Sequence, residues 1–418
     1  MGYLGVNQIN TVIIRLAADH PDVCELLTLP NLTHEGRSTF ALRIGKRAPH
    51  RPWWDPRPSF TPPVGVLFIH GVHARERGSP EIALAFVADL LWAYDRHEGL
   101  RYGARQFTDA QIRSIVDELN VFVVPLVNPD GLNFIVQNPA QFMWRKNRNP
   151  ASSGGRADSI GVDINRNFPF LWDFQKQFAP LTSPASTDPT ADEFHGVAAS
   201  SEPETRNVRW LFDQYRIISR CMDVHSWRQV ILHSWGDDEN QSIDPSMTFA
   251  NPAHDGKRGL PDTTYREYIS AEDSFAVSTL ARRVRDAVNA VRGGRYASIQ
   301  SIYLNVGGAK WFPTSGASDD YSYSRHVAEP GASKVLGFTL EFGTEFFPPW
   351  SEMERIILDV NAGMVEFCLA AIPVRWRFPR FAEWRRLWRW QILVPIAGLT
   401  AILGALGLFG GRGRGARR

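Results

Sequence analysis

His73 and Glu76 stand three residues apart just past the apolar run Val64 to Ile69. An imidazole and a carboxylate so spaced can turn toward one cation and are hard enough for zinc. Such a pair is common by chance, so a third ligand is needed. His225, in Asp223-Val-His225-Ser226-Trp227, and Glu341, in Phe338-Thr-Leu-Glu341-Phe342-Gly343, each close a further apolar run. Side chains at the carboxyl ends of strands in an open α/β sheet converge on one crevice, where His73, Glu76, His225 and Glu341 can meet. Two imidazoles and one carboxylate leave zinc an open position for water, which defines a catalytic site. His70 competes with His73, because His70-Gly-Val-His73-Ala-Arg75-Glu76 contains two spacings of three.

The elements that would position these residues follow from periodicity. Strands are expected at Val64 to Ile69, Val121 to Val127, Arg220 to Val224, Val230 to His233 and Val335 to Leu340. Helical spacing appears at Glu81 to Tyr94, Glu202 to Tyr215, Ser274 to Val291 and Met353 to Leu369. The alternation predicts an α/β fold: a mixed, mostly parallel twisted sheet flanked by helices on both faces. Pro- and Gly-rich stretches mark irregular loops, among them Asp237 to Ser270, which reads as an insertion near the cleft mouth. Its acids Asp237, Asp238 and Glu239 are candidates for negative potential there.

The chain has 418 residues, 44% of them hydrophobic and 22% charged, which excludes a disordered chain and a polytopic membrane protein. Cys24, Cys221 and Cys368 are odd in number and scattered, so neither a disulfide framework nor a cysteine metal site is expected. The last 44 residues carry ten arginines against one acid, which leaves a mildly acidic body and argues against a nucleic-acid partner. Residues 390–410 carry no charge and follow an arginine- and tryptophan-rich stretch. That composition predicts a C-terminal transmembrane helix in the lipid bilayer. The domains expected are then a catalytic body over 1–373, a basic and aromatic juxtamembrane segment over 374–389, a span over 390–410 and a basic tail over 411–418. With no basic, apolar leader at the start of the chain, the expected location is a membrane-anchored domain facing the cytoplasm.

In order and spacing, His73-Ala-Arg75-Glu76, Asn128-Pro-Asp-Gly131, Trp144-Arg145-Lys146, Gly161-Val-Asp-Ile-Asn165-Arg166-Asn167, His195-Gly196, His225-Ser226, Ser315-Gly-Ala-Ser-Asp319-Asp320 and Thr339-Leu-Glu341 resemble the zinc carboxypeptidases of the carboxypeptidase A and B family. The resemblance runs from about residue 3 to 370. It implies one zinc ion per chain held by His73, Glu76 and His225, with Glu341 as general base and Arg145 stabilising the oxyanion. It implies that Asn165 and Arg166 clamp the terminal carboxylate of a peptide or protein substrate, with Arg75 a secondary cationic contact. His70 then falls to a core or supporting role, and Asp163 and His195 to holding loops. In the family, the position of Asp319 lies at the base of the pocket for the released side chain, and an acid there predicts preference for C-terminal Lys or Arg. Phe312 replaces the usual substrate-contacting tyrosine and cannot donate a hydrogen bond; Tyr303 and Tyr321 are candidate substitutes. Two other functions fit the same residues: a zinc amide hydrolase acting on cell-wall peptides or polyglutamate side chains, and a non-catalytic module that binds peptide C-termini.

Overall fold

The computed structural model describes residues 2–46, 64–261, 264–304 and 312–373. Eight strands form the main sheet: β1 (Cys24–Thr28), β2 (Phe40–Ile44), β3 (Val64–His70), β4 (Leu119–Val124), β5 (Ile218–Ser226), β6 (Val230–His233), β7 (Ala297–Gln300) and β8 (Leu336–Phe342). Their spatial order is β1-β2-β4-β3-β5-β8-β6-β7. The central run β4-β3-β5-β8 is parallel, whereas β1, β2 and the β8–β6 pair are antiparallel. β3 and β4 are buried almost end to end, as expected of parallel strands covered on both faces.

Among the described residues the longer helices are α1 (Val6–Asp19), α2 (Ser79–Arg96), α3 (Asp109–Glu118), α4 (Pro129–Gln137), α5 (Pro203–Gln214), α6 (Ala271–Arg292), α7 (Ser318–Ala328) and α8 (Trp350–Ala371). Neighbouring residues of β8 show that α7 and α8 cover opposite faces of the sheet. Phe338 points to one face, its ring 5.3 Å from Phe367 of α8. Gly337 points to the other, where a Cβ would come within 1.9 Å of the Asp319 carbonyl oxygen in α7. Any side chain at 337 would push α7 off the sheet. Gly316, at φ 65°, permits a second close approach: a Cβ there would meet the Arg166 carbonyl oxygen at 2.2 Å.

Asn128 ties the end of β4 to the loop after β3. Its Oδ1 caps α4 by accepting from Gly131 N, and its Nδ2 donates to the carbonyls of Val72 and Lys146. One side chain thus fixes the two loops that carry His73, Glu76 and Arg145.

The expected transmembrane helix is a point of correction. No helix among the described residues is long and apolar enough to cross a membrane. The longest, α6 and α8, have 22 residues each, carry charges and pack on the sheet or on each other. Residues 374–418, including the proposed span 390–410, lie outside the described residues. The bilayer partner and the membrane-anchored location rested on that helix, and nothing among the described residues supports them. Cys24, Cys221 and Cys368 are all buried and free.

Candidate active site

The site lies at the carboxyl ends of β3, β5 and β8. In register, Glu341 of β8 stands beside His225 of β5, and His70 at the end of β3 beside Val224, so the loop that follows β3 opens onto the same edge. His73 and Glu76 occupy that loop. A cleft of about 190 Å³ is lined by His73, Arg75, Glu76, Arg145, Asn165, Arg166, His225, Phe312, Asp319 and Glu341 together.

His73 Nδ1 is 2.7 Å from Glu76 Oε1, His225 Nδ1 is 2.8 Å from Glu76 Oε2, and the two Nδ1 atoms are 3.1 Å apart. Donors of a tetrahedral zinc, at bonds of roughly 2.0–2.1 Å, stand about 3.3 Å from one another. The far nitrogens have their own partners: His73 Nε2 is 3.0 Å from Asp163 Oδ1, and His225 Nε2 is 2.9 Å from Asp223 Oδ2. A proton held on His73 Nε2 by Asp163 leaves its Nδ1 lone pair free for a metal, while His225 Nε2 makes an ion-pair contact with Asp223 without hydrogen-bond geometry. Burial alone would raise the Glu76 carboxyl, yet His73 and then His225 hold it well below the usual range, so it is anionic. This donor set fits zinc.

Asp163 is the hub of the second layer. It also accepts from Arg145 Nε at 2.9 Å and from the Asn165 backbone N–H at 2.9 Å. Against the cost of burial, Arg145 and then His73 keep its carboxyl well below the usual range. Arg145 thereby reaches the cleft with its Nη1 3.7 Å from Glu76 Oε1.

Glu341 sits at the metal edge with its Oε2 buried and, among the described residues, lacking a hydrogen-bond partner. Burial, followed by the negative charge of Glu76, pushes its carboxyl up to about 7. A carboxylate tuned this close to neutrality suits proton transfer.

Beyond the metal edge, Asn165 and Arg166 occupy a short 3-10 turn and are both buried. Asn165 Oδ1 accepts from Ser318 N at 2.8 Å, and Arg166 Nη1 donates to the Asn165 carbonyl at 2.7 Å. Among the described residues Arg166 Nε has no hydrogen-bond partner. Asp319, in the first turn of α7, is 5% exposed, accepts from Asp320 N and lies 3.1 Å from Ser301 Oγ. Burial raises its carboxyl. Phe312 lies half-buried on the cleft wall.

The other candidates have varied surroundings. Arg75 lines the cleft, but its guanidinium pairs with Asp192 at 2.6 Å and lies over the Phe346 ring. Asp237 and Asp238 are buried and do not line the cleft; desolvation pushes Asp238 up to about 7. Tyr303 donates to Glu239, and Tyr321 is buried against Phe168; neither lines the cleft. His70 is fully buried with Nδ1 3.1 Å from Ser79 Oγ, and His195 stacks on Trp172 at 4.2 Å. The reading of motifs passed over Asp223, Glu193, Trp227 and Arg228. For Asp223 a signal existed, because a residue two before His225 on a strand shares its face.

The sequence profile described as zinc carboxypeptidase matches residues 9–362. Carboxypeptidase B of Astacus astacus is 26% identical over 334 residues, 79% of this chain and 87% of that protein. Carboxypeptidase B of Rattus norvegicus is 24% identical over 317 residues, 75% of this chain but 59% of the rat protein. Among solved structures, carboxypeptidase A from Helicoverpa armigera superposes with a TM-score of 0.62 at 19% identity, covering 89% of this chain and 74% of the other. At that identity the superposition speaks for the fold.

Proposed function

The chain belongs to the zinc carboxypeptidase family, and from that premise we propose that it hydrolyses the last peptide bond of peptides or proteins and releases Lys or Arg in preference to apolar residues. The observation that carries this reading is the buried carboxylate of Asp319, which lines the same cleft as Asn165, Arg166 and the His73, Glu76 and His225 donor set.

Zinc held by His73, Glu76 and His225 would supply a Lewis acid and a water of lowered pKa. Asn165 and Arg166 receive the substrate's terminal carboxylate, to which planar guanidinium and amide donors are matched. Asp319 offers a desolvated negative charge to an incoming ammonium or guanidinium, and an apolar side chain would leave that charge unpaired. Glu341 Oε2 takes a proton from the attacking water and returns it to the leaving amide nitrogen. Arg145, aimed by Asp163, donates to the carbonyl oxygen as negative charge develops on it. Phe312 closes the wall by apolar contact and contributes no hydrogen bond.

The test is hydrolysis of matched hippuryl substrates ending in Arg and Phe by the zinc-loaded chain, with and without a chelator. Chelator-sensitive turnover favouring Arg is expected; a preference for Phe would reject the assignment of Asp319.

A further inference from the structure

Among the described residues four arginines line the cleft, and three of them face acids of the protein itself. Arg75 pairs with Asp192, Arg145 pairs with Asp163, and Arg166 lies in the field of Asp163. Arg228 is the exception. Among the described residues no carboxylate pairs with it, and its guanidinium rests over the Trp227 indole, 4.4 Å from the ring centroid. Stacking of this kind pre-orients a planar cation and leaves its N–H edge for a ligand.

The position of Arg228 follows from strand register. Glu341 of β8 pairs with His225 on one side and with Val230 on the other, so residues 226–229 arch over the end of β8 beside the metal edge. The arch carries Trp227, 36% exposed, whose ring meets Phe346 edge-on at 6.2 Å. Phe346 in turn carries the neutralised Arg75. If Asn165, Arg166 and Asp319 hold the terminal residue, the preceding residues must leave the metal across the rim that those three do not occupy. Trp227, Arg228 and Phe346 line the cleft together beside the arch and are the residues available to such a rim. The remaining acid of the cleft, Glu193, acts on Arg145 and Arg166, so its charge is offset there.

We propose that Arg228, seated on Trp227, selects peptides that carry an acidic side chain at one of the two residues preceding the one released. The preferred substrate class is then an acidic stretch ended by Lys or Arg. This rests on the carboxypeptidase reading for the direction of the peptide.

The experiment compares kcat/KM of the full, zinc-loaded chain on Ac-Ala-Glu-Ala-Arg, Ac-Ala-Ala-Glu-Arg and their Gln and Lys counterparts. Binding of labelled forms of the same peptides to the zinc-loaded Glu341→Gln protein is followed in parallel by fluorescence anisotropy. A half-buried pair of this kind predicts roughly a 2- to 5-fold advantage of Glu over Gln in one register, weakening with added salt. Arg228→Gln brings the ratio to about one, and Arg228→Glu inverts it in favour of Lys. The ratio of terminal Arg to terminal Phe, read in the same assays, reports Asp319 separately. A Glu-to-Gln ratio of one in both registers, or a ratio that survives Arg228→Gln, overturns the proposal while leaving carboxypeptidase action standing. Charge-selective binding with no hydrolysis of any peptide would reject the activity and retain the role of Arg228.

Discussion

Asp163 Oδ1 lies 3.0 Å from His73 Nε2, on the opposite side of the ring from the nitrogen that faces Glu76 and His225. The carboxylate fixes which imidazole nitrogen keeps its proton and so which one is free to ligate. Asp163→Asn preserves shape but removes the charge. Zinc affinity, measured by competition with a chromophoric chelator, is expected to fall about 10- to 100-fold; unchanged affinity would show that the ring is oriented by packing alone.

Glu341→Gln separates proton transfer from metal binding, since Glu341 lies outside the triad of mutually close donor atoms His73, Glu76 and His225. Turnover on a terminal-Arg peptide should drop on the order of 100- to 10,000-fold. Zinc content, measured by elemental analysis, should stay at one per chain. Substantial residual turnover would move the base to another group.

Replacing Asp319 by Ala removes the buried charge but leaves the clamp. The kcat/KM for terminal Arg should fall by about 2 kcal/mol or more, roughly 30-fold, while that for terminal Phe rises or holds. Equal losses for both substrates would mean that Asp319 only supports the fold.

Stability should depend on pH through a second carboxylate cluster, away from the cleft. Glu204 is fully buried beside Glu202, with Asn147 Nδ2 3.0 Å from its Oε2, and burial pushes its carboxyl up to about 7. An unfolded chain ionises this group nearer its ordinary value of about 4.3. Between the two values the folded state binds more protons than the unfolded state, so stability is full at the acid end and declines as pH rises toward 7. Glu204→Gln should flatten that decline, measured as the slope of Tm against pH; an unaltered slope would assign the dependence elsewhere.

The chemistry of the cleft was more readable from sequence than the scaffold around it. His73, Glu76, His225 and Glu341 announce themselves because each follows or ends an apolar strand, and such runs are unambiguous when both faces are buried. β4 was expected to reach Val127 but ends at Val124, since Pro125 cannot donate to the ladder although Leu126 and Val127 continue the apolar run. α7 was missed because Ser318–Ala328 is almost wholly polar or tyrosine; it is buried by the cleft's own network and offers no apolar stripe to detect. α1, buried through Val6, Ile9 and Ile13, drew no attention because its stripe is only three residues long. Arg228 carries no motif at all. Its significance depends on which other cations are already paired, a fact that exists only in three dimensions.

Gly337 and Asp319 suggest how such a cleft changes its taste. The backbone of residue 319 is pressed onto a strand that tolerates no intervening methyl, so the peptide chain there is anchored whatever side chain it bears. If Asp319 reads the departing side chain as proposed, a single codon, acid exchanged for aliphatic, would retune substrate choice without re-laying the sheet.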